Sequence, residues 1–195
     1  YVMGGHGSPK YKKCEKYIIS EDRWEDMAEL NIGRKYHTAC LFEERYIYVF
    51  GGMTLGETYI SDFREIIERF DIFENSWELI KISSTNPYTG SSFSGTLQVA
   101  DNKIIIFGGY LNRNKDFVDT IFWYNTDTNL ITKNNKATLK IPGNFKCGSN
   151  PVYYEDSVKG DVIFYVDYDR NLHMYDTKKH KFDIKKSTAV LKRKQ

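Results

Sequence analysis

Arg34-Lys-Tyr-His-Thr-Ala-Cys-Leu-Phe-Glu-Glu-Arg-Tyr-Ile-Tyr-Val-Phe-Gly-Gly52, followed by Phe70-Asp71 and Trp77, is the stretch that decides the fold of this chain. Tyr46 to Phe50 is a run of aromatic and β-branched residues, the composition of a strand. It is apolar at every position, which predicts cover on both faces rather than one. Gly51 and Gly52 close it, because glycine can turn sharply or let a second backbone come close.

The same order recurs through the chain, and repeats take precedence over single motifs. Glycine pairs stand at Gly4-Gly5, Gly51-Gly52 and Gly108-Gly109, the last closing Ile104-Ile-Ile-Phe107. Val162-Ile-Phe-Tyr-Val166 is a version without glycines. Each is followed by an aromatic and, seven residues later, a large hydrophobe: Tyr17 with Trp24, Phe70 with Trp77, Tyr124 with Ile131, Tyr175 with Phe182. Polar turn formers fill three of these gaps, from Asp71 to Ser76, Asn125 to Asn129 and Asp176 to Lys181. The four hydrophobes are 53, 54 and 51 positions apart. One segment competes locally. Phe63, Ile66, Ile67 and Phe70 have helical spacing, whereas the repeat register wants a strand near residues 64–71. The register is preferred, with room for a helical turn before the strand.

The order of Arg-x-x-His, apolar strand, Gly-Gly, aromatic-Asp, turn and Trp resembles the kelch repeat, and the likeness runs over roughly residues 1–185. Its best unit is Arg34, His37, Tyr46 to Gly52, Phe70-Asp71 and Trp77. The third unit has Ile131 in place of Trp, the fourth lacks Gly-Gly, and both lack the Arg and His. The resemblance implies an all-β chain, an incomplete kelch-type β-propeller of antiparallel four-stranded blades of about 50 residues. The units are residues 1–30 (a partial blade), 34–80, 90–133 and 147–185 (degenerate), with a basic tail at 186–195 that has room for one short closing strand at 187–191. Tyr1-Val-Met-Gly-Gly5 reads as the end of a strand without its beginning, so further blades are expected before Tyr1. Trp24 and Trp77 are suited to fill space between blades.

Composition narrows the function classes. The 195 residues are 41% hydrophobic and 28% charged, which is globular composition. A net charge of +2 gives no whole-molecule argument for nucleic acid or membrane. No apolar run reaches the length of a membrane span. Cys14, Cys40 and Cys147 are odd in number and far apart, which points to reduced thiols in cytosol or nucleus rather than disulfides or zinc. His6, His173 and His180 have no ligand spacing. Glu21-Asp22, Glu25-Asp26 and Glu43-Glu44 lie in turns, where solvated charge is the ordinary reading. No P-loop, nucleophile elbow, Rossmann fingerprint or HExxH occurs. The basic stretch from Lys178 to Lys194 is read as a solubilising terminus rather than a phosphate-backbone site.

The resemblance also implies where a partner would sit. In kelch propellers, the loops between blades and those after Gly-Gly lie on one rim and hold peptides. The matching positions here are Arg34, Lys35 and Tyr36; Ser91 and Ser92; Ser149 and Asn150; His6 and Ser8; Met53 and Thr54; Tyr110, Asn112 and Arg113; Tyr168 and Arg170. Arginine offers a donor fork for carboxylates, and Ser, Asn and Tyr offer adaptable hydrogen bonds. For most of these, an ordinary solvated loop is the competing reading. Arg34 can instead bond carbonyls between blades, and His37 is read as structural. The expectation is a non-enzymatic protein-binding module without cofactor, metal or small-molecule substrate. By resemblance it would belong to a ubiquitin-ligase receptor or a cytoskeletal scaffold. Rival readings are an architectural subunit of a larger assembly and, further off, a galactose-oxidase-like copper enzyme.

Overall fold

The strand composition read above is realised throughout a computed structural model of the chain. It describes residues 1–5, 11–54, 65–84, 88, 90–111, 116–118, 121–134, 151–155, 160–166, 172–179 and 181–185. Among the described residues, eighteen strands and one 3₁₀ turn at Ile19–Glu21 make up the regular structure.

The first sheet holds β1 (Val2–Met3), β2 (Cys14–Ile18) and β3 (Arg23–Met27). The second holds β4 (Thr38–Phe42), β5 (Tyr46–Phe50), β6 (Ile66–Asp71) and β7 (Ser76–Lys81), paired antiparallel in chain order. Next come β8 (Ser83–Ser84), β9 (Gly95–Ala100), β10 (Lys103–Phe107), a small hairpin of β11 (Tyr110–Leu111) and β12 (Asp116–Phe117), then β13 (Ile121–Asn125) and β14 (Leu130–Lys133). In the third sheet β9, β10, β13 and β14 run antiparallel, and β8 adds to β14 in parallel, with Leu130 opposite Ser83. No local pattern marks this fifth strand, whose main chain leaves the second sheet and bonds to the third. The fourth sheet is β15 (Val152–Tyr154), β16 (Val162–Val166), β17 (Leu172–Asp176) and β18 (Lys181–Lys185).

Residues 66–71 are the strand β6, because the repeat register prevails over the local helical spacing. Ile67 and Phe70 reach full burial in extended backbone against β5 and β7. Phe63, the first residue of that helical pattern, lies outside the described residues, as does the stretch at 187–191.

Alternation of side chains across each strand forms the cores. Ile47 and Val49 of β5 pack with Cys14, Met27 and Leu30 of the first unit, while Tyr48 and Phe50 pack with Ile104, Ile106, Tyr124 and Ile131 of the third. Ile105 and Phe107 face the other way, to Ile163, Tyr165 and Tyr175. The strands before Gly51-Gly52 and Gly108-Gly109 are therefore sandwiched. The innermost strands β4 and β9 meet through a hydrogen bond between the Thr38 and Thr96 hydroxyls, 2.8 Å apart.

Two large hydrophobes behave differently. Trp77 packs on Phe70 and donates its indole N–H to the Ala28 carbonyl at 2.8 Å, closing the gap between the first two sheets. Trp24 was expected in the same role, but 53% of it is exposed. Its ring stacks at a tilt on Tyr17, and no other described sheet covers that face.

Candidate protein-binding rim

The glycine pairs build the rim. Gly51 has φ +60°, and a Cβ there would lie 2.1 Å from the Ser91 carbonyl oxygen of the linker crossing above it. Gly52 donates its N–H to that same oxygen at 3.2 Å. The first unit repeats the device, with Gly5 donating to the Arg34 carbonyl at 3.0 Å. Each linker is thereby pinned to the end of the preceding blade, and the residues that follow Arg34 are turned outward.

Those next residues are Lys35 and Tyr36. Lys35 and Met53 exchange both backbone hydrogen bonds at 2.8 Å. Tyr36 has φ +57°, in the left-handed region that costs an aromatic residue strain, and Phe93 has φ +58°. The two rings stack with centroids 4.3 Å apart at 21°, and the Phe93 N–H donates to the Tyr36 carbonyl at 2.9 Å. Tyr36 is 41% exposed, and the Lys35 ammonium stands 5.4 Å from its ring centre. The rim thus presents an aromatic platform with a cation at its edge, held in place by strained backbone.

Phe93 was absent from the sequence expectations. A signal existed: Tyr36 and Phe93 each stand fifteen residues before the first glycine of a pair, Gly51 and Gly108. Alignment on the glycines alone would have paired them.

Arg34 points elsewhere. Its side chain is fully buried, with one guanidinium nitrogen 2.6 Å from a Glu68 carboxylate oxygen and another 3.0 Å from the Gly51 carbonyl. Glu68 also accepts the N–H groups of Asn31 and Ile32. The arginine expected to receive a partner carboxylate is taken by one from its own chain, so it fixes the linker between the first two blades. Ser91 and Ser92 are likewise buried beneath the rim, because their carbonyl oxygens lie where Cβ atoms on Gly51 and Gly109 would stand.

His37 sits between Gly4 and Gly52 and bonds the Arg34 backbone. Burial, and then the Arg34 charge, push its pKa down to about 4, so the ring is neutral near pH 7. Met53 and Thr54 are half-buried at the rim. Tyr110 opens the β11–β12 hairpin. His6, Ser8, Asn112, Arg113, Ser149, Asn150, Tyr168 and Arg170 lie outside the described residues. Among the described residues, no group of three His, Cys, Asp or Glu side chains is placed to hold a metal ion, and no helix is long and apolar enough to cross a membrane.

A sequence model of the KLHDC2/KLHL20/DRC7 Kelch-repeats domain matches residues 1–190. The chain belongs to this Kelch-repeat family. Curated relatives agree. Kelch-like protein 15 of Gallus gallus is 30% identical over 97 residues, half of this chain and 18% of that protein. Kelch-like protein 36 of Bos taurus is 25% identical over 158 residues, 75% of this chain and 24% of that protein. The chain therefore spans about a quarter or less of the relatives it matches. Membership of the family agrees with the all-β fold and its several antiparallel sheets, and it points to protein interaction.

Proposed function

We propose that this Kelch-repeat domain binds a partner protein through the rim, with Tyr36, Phe93 and Lys35 as the principal contacts. The observation that carries the reading is the stacked Tyr36–Phe93 pair. Two successive blades hold aromatic side chains at the same repeat position in left-handed backbone, and one ring is left largely open beside a cation. Strained, rigid aromatic residues lose little side-chain entropy on binding, which makes them efficient contact residues. The Lys35 ammonium favours a partner segment with acidic character. Met53 and Thr54 flank this patch, whereas Arg34, Ser91 and Ser92 act through the position of the linkers. A role as receptor in a ubiquitin ligase, or as a scaffold, would rest on other parts of a longer polypeptide.

The test uses peptides selected from a displayed random library on the wild-type chain. Enriched peptides should bind Tyr36→Ser and Lys35→Glu at least about tenfold more weakly. They should bind Arg45→Ala, altered in the hairpin turn before β5, as well as wild type. Equal affinity for all four proteins would refute the rim as the binding surface.

A further inference from the structure

The second sheet holds the first through a set of side chains that the first sheet repeats. Glu68 takes the Arg34 guanidinium at 2.6 Å and accepts the N–H groups of Asn31 and Ile32. Asn75 and Trp77 take Ala28: the Asn75 amide oxygen accepts its N–H at 3.0 Å, and the Trp77 indole N–H donates to its carbonyl at 2.8 Å. Val49, Phe70 and Ile72 fill the apolar core between the two sheets.

Register maps these six positions onto Val2, Glu15, Tyr17, Ile19, Asp22 and Trp24. Val2 lies opposite Glu15 as Val49 lies opposite Glu68, and Tyr17 lies opposite Trp24 as Phe70 does opposite Trp77. Ile19, Asp22 and Trp24 each stand 53 positions before Ile72, Asn75 and Trp77. Asp22 and Asn75 share left-handed backbone, with φ 49° and 47°. In the first sheet the apolar members are open, from 41% exposed at Tyr17 to 85% at Ile19. Lys13 bridges Glu15 to Asp26, and all three side chains keep contact with solvent. Such exposed pairs are weak and readily exchanged.

The fourth sheet, at the other end of the row, has an apolar face of its own. Tyr165 and Tyr175 point to the third sheet, so the cross-strand partners Phe164 and Met174, one position along, point away from it. Val152 lies opposite Phe164 and is 61% exposed, and Tyr154, two residues on, is 56% exposed. Asp176 borders this face and is paired with Lys179 at 2.8 Å. Sequence spacing adds a cation. Arg34 comes ten residues after Trp24, and ten residues after Phe182, the matching hydrophobe, comes Lys192 of Lys192-Arg-Lys194.

We propose that a second copy of this chain docks head to tail on the first sheet. Phe164, Met174 and Val152 of one copy cover Tyr17, Ile19 and Trp24 of the next, and a cation of the Lys192–Lys194 stretch replaces Lys13 on Glu15. The contact continues the one already made between the first and second sheets, so its two halves are complementary by the chain's own example. The charge that Glu15 selects is positive, as Glu68 selects Arg34. The interface is heterologous, since the two copies contribute different faces. It is separate from the rim and does not depend on it.

Sedimentation velocity of the full chain up to about 0.1 mM provides the test. Wild type should associate. Tyr17→Lys with Trp24→Lys, the front variant, and Phe164→Lys with Met174→Lys, the tail variant, should each raise the half-association concentration at least about tenfold. An equimolar mixture of the two keeps one intact front and one intact tail, and should form a one-to-one dimer. Glu15→Lys should weaken association as much, and mixing it with a copy carrying Lys192→Glu, Arg193→Glu and Lys194→Glu should restore it. This charge exchange leaves the apolar faces untouched and reads the contact even where a tail variant fails to fold. The proposal is overturned by a wild type that stays monomeric, which leaves the face to a preceding sheet of a longer polypeptide. It is overturned equally by a folded tail variant that associates like wild type, because front would then meet front, or by a charge-exchanged mixture that stays apart.

Discussion

Arg34 and Glu68 place two opposite charges in full burial, each with further hydrogen bonds to backbone. Removal of one partner strands the other charge in a low-dielectric interior. Arg34→Met should lower unfolding free energy by about 3–5 kcal/mol, read from the urea midpoint. Glu68→Gln added to it should recover part of that loss, since the stranded charge goes while an amide oxygen still accepts from Asn31. His37 lies beside the same guanidinium. Its folded pKa of about 4 lies below the ordinary 6.5, so the unfolded chain takes up the proton first as pH falls. The contribution is complete above about pH 6.5 and is lost as pH falls to about 4, at no more than about 1.4 kcal/mol per pH unit. His37→Gln should flatten that dependence in denaturation series across this range. Burial also pushes the thiols of Cys14 and Cys40 up, to about 11 and about 12, in keeping with small core residues.

Element geometry depends on two recurring devices. One is the glycine crossing. Gly51→Ala would place a methyl group 2.1 Å from the Ser91 carbonyl oxygen, in backbone that disfavours it. Strain and displacement together should cost about 2–4 kcal/mol in thermal or urea unfolding. Gly5 offers a control, since a Cβ there meets nothing within 4 Å and only its φ of +121° opposes the change. The other device is the turn between third and fourth strands. Asp71, Asn125 and Asp176 each accept the N–H groups two and three residues ahead, and these are the polar positions that the repeat marks in sequence. Arg45 on Asp71 holds that carboxyl below the usual carboxylate range.

Across the described residues, the second, third and fourth sheets turn the aromatic of their third strand to the sheet before. Phe70 and Trp77 meet the first sheet, Tyr124 and Ile131 the second, and Tyr175 the third. Tyr17 and Trp24 occupy the same repeat positions in the first sheet and stand open, with Val2 on the same face. Glu15 and Asp26 share that face, so its exposed apolar surface centres on the Tyr17–Trp24 pair, and such surface promotes association. The isolated chain should show concentration-dependent sedimentation, and Tyr17→Lys with Trp24→Lys should reduce it without loss of β-sheet circular dichroism.

The sequence alone determined the repeat and its strands. Apolar runs, glycine pairs and turn residues act locally, so their meaning survives without knowledge of neighbours. It placed a strand near residues 64–71 once register outweighed a local helical spacing, and it marked Lys35, Tyr36, Met53 and Thr54 as rim positions. Tertiary structure alone decided which side chains remain available. Arg34 looks like a carboxylate receptor until Glu68, thirty-four residues away, is seen to hold it. Phe93 is an unmarked residue until its blade brings it onto Tyr36. Availability is a property of contacts between distant segments, and no local pattern records whether a partner has already been supplied.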